Sequence, residues 1–281
     1  MVTPTTDRAG EPIRIWHQSL TVLAHVPAYR DALQKHIDSV VSPGTEVDLH
    51  GLVDGSYSTS YPGSEIIYNY VTSRHVEQFV EAAVTAEREG YDAFVIATLP
   101  DLGYEQIRSV VDIPVIPIGL TSVTSAIALG DCVGLVGFID ELAPWVRRNM
   151  SLVGLDRVVG PFASLGATFH DVMAEMEGPD KALRAFEDAA ARLIEQGANV
   201  IVPGEGPLNV LLARHQITRV HDVPVIDSMG STFGLADIRA REYRRTGIYP
   251  SRSGYYFARP PAELFEGVRN LYGRGPSATN P

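Results

Sequence analysis

Two stretches of this 281-residue chain repeat each other in the same order, and no other feature narrows the possible folds as far. Gly90-Tyr91-Asp92-Ala93-Phe94-Val95-Ile96-Ala97-Thr98 aligns with Gly197-Ala198-Asn199-Val200-Ile201-Val202-Pro203-Gly204-Glu205. Val111-Asp112-Ile113-Pro114-Val115-Ile116 aligns with His221-Asp222-Val223-Pro224-Val225-Ile226. In both halves the step from the leading glycine to the residue that closes the run, Thr98 or Glu205, is eight positions. One such match arises readily between unrelated βαβ units; two in the same order point to a duplicated half. Each apolar run is continuous rather than alternating, as in a strand buried on both faces of a parallel sheet. Helical periodicity precedes each glycine, with Val76, Phe79, Val80, Ala83 and Val84 before Gly90, and Leu183, Phe186, Ala190 and Leu193 before Gly197.

The rest of the chain continues the alternation. Ile13–Trp16 and Glu46–Leu49 read as strands around a helix near 24–41, and a helix from Ser73 ends at Gly90. Ala93–Ala97, Val115–Pro117, Val133–Gly137, Asn199–Pro203 and Val225–Ile226 read as further strands, with helices around Trp145 and from Asp180 to Gln196. The expected class is α/β: two pseudo-symmetric α/β domains with mostly parallel sheets, the active site in the cleft between them where strand C-termini converge. Residues 12–125 plus 225–243 form the first half and 126–224 the second, changing over near Gly119–Asp131. Residues 244–281 fall outside the repeat as a C-terminal extension rich in Arg, Tyr, Gly and Pro. It reads either as a surface segment packed on its own chain or as an arm toward another subunit, which makes a homo-oligomer the expected assembly. Residues 275–281 are expected to be disordered.

Charge and cysteine content remove whole classes of function. Lys and Arg number 23 against 34 Asp and Glu, a net −11, which argues against a nucleic-acid or anionic-membrane partner and leaves a small-molecule substrate. A single cysteine, Cys132, excludes an intrachain disulfide framework and any multi-cysteine zinc or iron–sulfur site. No run of ~18 apolar residues is present, and Met1 to Asp7 lack the basic and apolar regions of a signal peptide, so the cytoplasm is the expected compartment. The eight histidines show no zinc spacing, and Gly204-Glu205-Gly206 lacks the third glycine of a dinucleotide fingerprint. No metal and no cofactor are expected.

Chemistry is expected where strands run out into helices. Glu205 stands at the end of a buried strand between Gly204 and Gly206, glycines that let backbone approach a ligand, with Pro207 suited to a first helical turn. Burial raises its pKa and the following helix lowers it; it reads as an acid/base or as a stabiliser of that helix N-terminus. Thr98 holds the same place in the first half, to donate a hydrogen bond to substrate or simply to pack. Asp101 either orients an amide N–H or caps the helix beginning near Gly103. Hydroxyl pairs lie at three further junctions, Ser19 with Thr21, Thr121 with Ser122 and Ser231 with Thr232, as oxyanion sites or as N-caps. The loop from Ser56 to Gly63, which carries Tyr61, reads as a lid or as an ordinary surface loop. His17, just past the first strand, is a candidate acid/base partner or oxyanion donor, and Cys132 reads as an inert buried thiol.

Over residues 12–243 the chain resembles the aspartate/glutamate/hydantoin racemase superfamily, and the hydantoin racemase branch most closely. The resemblance rests on Ile15-Trp16-His17-Gln18-Ser19, the Gly-Tyr-Asp-Ala run from Gly90, Thr98-Leu99-Pro100-Asp101-Leu102-Gly103, and Val202-Pro203-Gly204-Glu205-Gly206. It implies two duplicated α/β domains, no cofactor, and proton exchange at the carbon beside a carbonyl. In the family two cysteines, one per domain, carry that exchange; here Thr98 and Glu205 occupy the matching positions, Asp101 matches a loop aspartate, and His17 opens what is an asparagine-rich loop in relatives. Two-base racemisation needs a titratable group on each face of the carbon, and threonine alone is not a base. The resemblance therefore implies a cofactor-independent, racemase-like isomerase acting on a small carboxylate or cyclic amide through Glu205. Gly206 and the junctions at Thr121, Ser122, Ser231 and Thr232 would hold negative charge. A lyase, a ring-opening hydrolase, or a catalytically silent ligand-binding homologue are the alternatives.

Overall fold

A computed structural model describes residues 10–176 and 181–272; the expectations for Asp180 and for 275–281 lie outside the described residues. Strands β1 (Ile13–Gln18), β2 (Thr45–His50), β3 (Ala93–Ile96) and β4 (Val115–Pro117) form a parallel sheet in the order β2-β1-β3-β4. A second parallel sheet, β5 (Val133–Gly137), β6 (Val159–Ser164) and β7 (Val200–Pro203), has the order β6-β5-β7. A single parallel bridge from Ile201 to Val225 adds a fourth member beyond β7. The two sheets therefore share one order, with Val225 in the place of β4. The expected strand Val225–Ile226 is reduced to that bridge because the chain just before it turns into a short antiparallel ribbon, β8 (Arg219–Val220) with β9 (Val223–Pro224).

Helices cover both sheets: α1 (Pro27–Val40), α2 (Asn69–Arg88), α3 (Tyr104–Val110), α4 (Ile118–Ala126) and α5 (Leu142–Ser151). There follow α6 (Phe169–Glu175), α7 (Lys181–Glu195), α8 (Gly206–Arg214), α9 (Ser228–Thr246) and α10 (Ala262–Tyr272). Helix α1 starts at Pro27, later than the periodicity suggests, because a 3₁₀ turn occupies Leu23–His25. It buries Tyr29, Leu33 and Ile37, one residue per turn on a single face. Gly90 takes φ +77° after α2, the left-handed stop its sequence position calls for.

Helix α9 returns from the second half to pack on β1, β3 and β4, burying Met229, Phe233, Ala236 and Ala240. One apolar cluster consequently runs from Ile15, Leu33 and Val95 through Val136 and Ile201 to Leu208 and Phe233. At the N-terminal end of the central strands β1 and β3, buried Asp92 accepts from Arg244 Nε (2.6 Å) and Nη2 (2.5 Å) and from the N–H of Arg14 (2.8 Å). The C-terminal extension lies on α2 and α3 of its own chain. Arg252 and Arg259 both pair with Asp112, Arg269 pairs with Glu81, and Phe265 packs against the α2 core. Among the described residues no helix is long and apolar enough to cross a membrane.

Candidate active site

A cleft of about 620 Å3 of empty space, part of it open to solvent, lies between the halves. The C-terminal ends of β1, β3 and β7 deliver Ser19, Thr98 and Glu205 to it, and the second half adds Phe169. This is where parallel α/β sheets place ligands, because side chains there leave the ladder and the following helices point their N-termini inward.

Glu205 precedes α8 at its N-cap position, yet its side chain makes no capping bond. Oε1 instead accepts the N–H of Phe138, just past β5, at 2.9 Å, while Oε2 is buried with no hydrogen-bond partner among the described residues. Gly137 gives the carboxyl its berth: a Cβ there would lie 3.0 Å from Oε1 and 3.0 Å from the Phe162 ring. Burial pushes the Glu205 pKa up to about 8, and the Phe138 N–H pulls weakly the other way. The Glu205 side chain thus makes no bond that would cap α8.

Thr98 lines the cleft from the first half, its Oγ1 accepting the Leu102 N–H at 3.4 Å. Ser19 lines it with Oγ accepting the Thr21 N–H at 3.0 Å, and Gly206 lines it as the first residue of α8.

Tyr61, Pro62 and Gly63 form the outer wall. The loop that carries them is folded around Glu65, whose Oε1 accepts the N–H groups of Ser58 and Thr59 at 2.7 Å each. Tyr61 reaches across to the second half, stacking on Phe169 (centroids 4.8 Å, 22°) and meeting Phe138 edge-on (5.6 Å, 89°). Burial first, and the charge of Glu205 second, raise its pKa well above the tyrosine norm. Gly63 is needed for this placement, because a Cβ there would overlap the Tyr61 ring at 2.3 Å. Gly63→Ala is expected to raise limited proteolysis between residues 52 and 66 by about tenfold, the opening equivalent of losing one aromatic contact. Cleavage at the wild-type rate would show that Glu65 alone holds the loop.

Of the remaining expected residues, Thr21 lines the cleft beside Ser19 and the others lie elsewhere. His17 is inside β1, which runs to Gln18; its ring is fully buried, stacked on Phe233 at 6.0 Å, with neither nitrogen hydrogen-bonded among the described residues. Burial, then His50, lowers its pKa to about 3, and it sits in the core rather than on the cleft wall, because strand alternation turns it inward. Asp101 caps a helix, but α4 rather than α3: its carboxylate accepts the N–H groups of Gly119 (2.6 Å) and Leu120 (2.9 Å) from a left-handed backbone, φ +53°. Burial raises its pKa to about 8 against those two bonds, and it does not line the cleft. Thr121, Ser122 and Thr232 donate to the carbonyls of Pro117, Ile118 and Ser228, each at 2.7 Å. Those bonds back to residue i−4 turn the hydroxyls along their own helices and away from any ligand. Ser231 lies in the first turn of α9, where Asp227 does the capping by accepting the Gly230 N–H at 2.8 Å. Half-buried Cys132 abuts Gly160 and is not on the cleft wall.

Sequence reasoning missed Tyr29, which reads as one more member of the α1 core stripe but reaches the cleft, and Phe169, which carries no motif. None of the described residues lining the cleft is Arg, Lys or His. Among the described residues no group of three His, Cys, Asp or Glu is placed to hold a metal ion.

Residues 25–236 match the family model for Asp/Glu/hydantoin racemase, and the chain belongs to that family of enzymes. A hydantoin racemase from Paenarthrobacter aurescens is 28% identical over 203 residues, 71% of this chain and 84% of the relative. The fold is shared with allantoin racemase from Pseudomonas fluorescens, at TM-score 0.69 and 22% identity over 88% of this chain and 97% of that one. It is shared likewise with allantoin racemase from Klebsiella pneumoniae, at TM-score 0.67 and 21% identity over 88% and 94%.

Proposed function

We propose that this protein is a cofactor-independent enzyme that moves a proton at the carbon beside a carbonyl in a small, uncharged cyclic amide, with Glu205 as its acid/base. The observation that carries the reading is the buried, unpartnered Oε2 of Glu205 in a cleft whose lining holds no cation. A carboxylate ligand entering that cleft would meet a second carboxyl and no countercharge, an arrangement burial makes expensive. A neutral amide ring meets no such penalty. A pKa near 8 leaves a usable fraction of carboxylate at neutral pH while keeping it a competent base. The relatives named for hydantoin and allantoin support a ligand of this class.

Thr98 stands where a second base would be needed, so Glu205 removes and returns the proton from one face. Hydrogen exchange at the reacting carbon should therefore outrun loss of optical activity. Proton NMR in D2O tests this on 5-substituted hydantoins beside aspartate, glutamate and malonates, with Glu205→Gln run in parallel. Deuterium at C5 of the hydantoins alone, absent in the variant, is the expected result. Exchange confined to the dicarboxylates, new products without exchange, or binding without exchange would each sink the reading.

A further inference from the structure

We infer that Tyr29 is a second catalytic residue, whose hydroxyl donates a hydrogen bond to the ligand's carbonyl oxygen as Glu205 withdraws the proton. The inference rests on the proposed role of Glu205 and adds the group that receives the charge created there. Tyr29 is the first residue of the buried α1 stripe, 2% exposed, and it lines the cleft. Its hydroxyl leads its ring toward the start of α8: a Cβ on Gly206 would lie 2.6 Å from Oη but 3.8 Å from Cζ. The residue before Gly206 is Glu205, and both it and Tyr29 line the same cleft.

This hydroxyl forms no hydrogen bond among the described residues, and burial alone raises its pKa beyond the ordinary tyrosine value. Burial thus favours the protonated hydroxyl, which can donate. Ser19, Thr21 and Thr98 also bring hydroxyls to the wall, where Ser19 Oγ accepts the Thr21 N–H and Thr98 Oγ1 accepts the Leu102 N–H. Tyr61 rides on the loop, whereas Tyr29 is anchored in a helix next to Leu33 and Ile37. Gly206 is what admits it, since any side chain there would evict the hydroxyl.

In the step itself, the ionised Glu205 Oε2 takes the proton from carbon. The C–H electron pair forms the C=C bond of an enolate, and the carbonyl π pair moves onto oxygen. Tyr29 keeps its own proton and shares it with that oxygen through a hydrogen bond, so nothing is consumed; the return of the proton from Glu205 restores the carbonyl. A donor preorganised toward developing negative charge contributes more in the transition state than in binding.

Tyr29→Phe keeps the ring and removes only the hydroxyl. Without ligand its Tm should equal or exceed the wild-type value, because no protein partner is lost. The C5 exchange rate on 5-methylhydantoin should fall about 100-fold with KM changed less than about tenfold, and the pH midpoint should stay where Glu205 sets it. A Tm lower by about 5 °C or more would make the hydroxyl structural, and exchange within about threefold of wild type would assign the oxygen to another donor; either overturns the inference. Glu205→Gln separates the two readings. If that variant loses exchange while Tyr29→Phe keeps it, only the Tyr29 assignment fails; if Glu205→Gln keeps exchange, the Glu205 reading fails. Should wild type bind 5-methylhydantoin without turnover, the Glu205 reading fails and the Tyr29 assignment, which rests on it, fails with it.

Discussion

Glu205→Gln should lower the exchange rate by about a thousandfold, and the wild-type rate should climb with pH and level off above about 8. The substitution is close to isosteric and keeps an oxygen to accept the Phe138 N–H, so the loss reports titration rather than collapse of the wall. The base is the ionised form, and burial holds the proton on until about pH 8; below that plateau each pH unit removes tenfold of the active species. The same displacement shapes stability. The folded carboxyl binds its proton more tightly than the reference value of 4.5, so its stabilisation is complete below that value and is lost as pH rises to about 8. The loss is of the order of 4 kcal/mol for this fully buried group. Urea denaturation at pH 4.5 and pH 9 should therefore show a smaller drop in Glu205→Gln than in wild type, with Asp101, raised for the same reason, adding to the drop in both proteins and His17, lowered by burial, opposing it in both. Equal drops in the two proteins would mean that the Glu205 carboxylate is solvated.

Asp92→Ala should cost about 3–5 kcal/mol, read as a lower urea midpoint at unchanged m-value. Both oxygens of the buried carboxylate are engaged by the Arg244 guanidinium, and the backbone of Arg14 donates to one of them. Among the described residues, removing the acid leaves the mostly buried guanidinium on the Glu11 and Pro12 carbonyls at 2.8 Å and 2.6 Å. It also unties α9 from the N-terminal end of the first sheet, opposite the strand ends that line the cleft, so exchange per folded molecule should persist. A loss below about 1 kcal/mol would place the pair among ordinary surface ion pairs.

Strands in continuous apolar runs were readable from the sequence, because a strand buried on both faces needs apolar residues at every position: Ala93–Ile96, Val115–Pro117, Val133–Gly137 and Val200–Pro203 all stand within a residue of their expected limits. Strand β6 escaped because Gly160 and Pro161 break its run, which an edge position tolerates. The same logic divides the site residues. Glu205 and Thr98 were legible because position at a strand end is a local property. Asp101 was not, since its proximity in sequence to Gly103 suggests α3 while the fold brings it to Gly119 and Leu120 of α4. For Thr121, Ser122 and Thr232 the sequence supplies a hydroxyl near a helix start but not its rotamer, and in each the carbonyl four residues back takes the proton. His17 shows how one turn of alternation decides between wall and core: two more residues of strand carried it inside.

The shared strand order has a mechanical side. The chain passes between the two sheets twice, at 127–132 after α4 and at 226–227 before α9. Those crossings are reinforced by the apolar core that continues from Ile15 and Val95 to Val136 and Ile201, and on the cleft side by the stack of Tyr61 on Phe169.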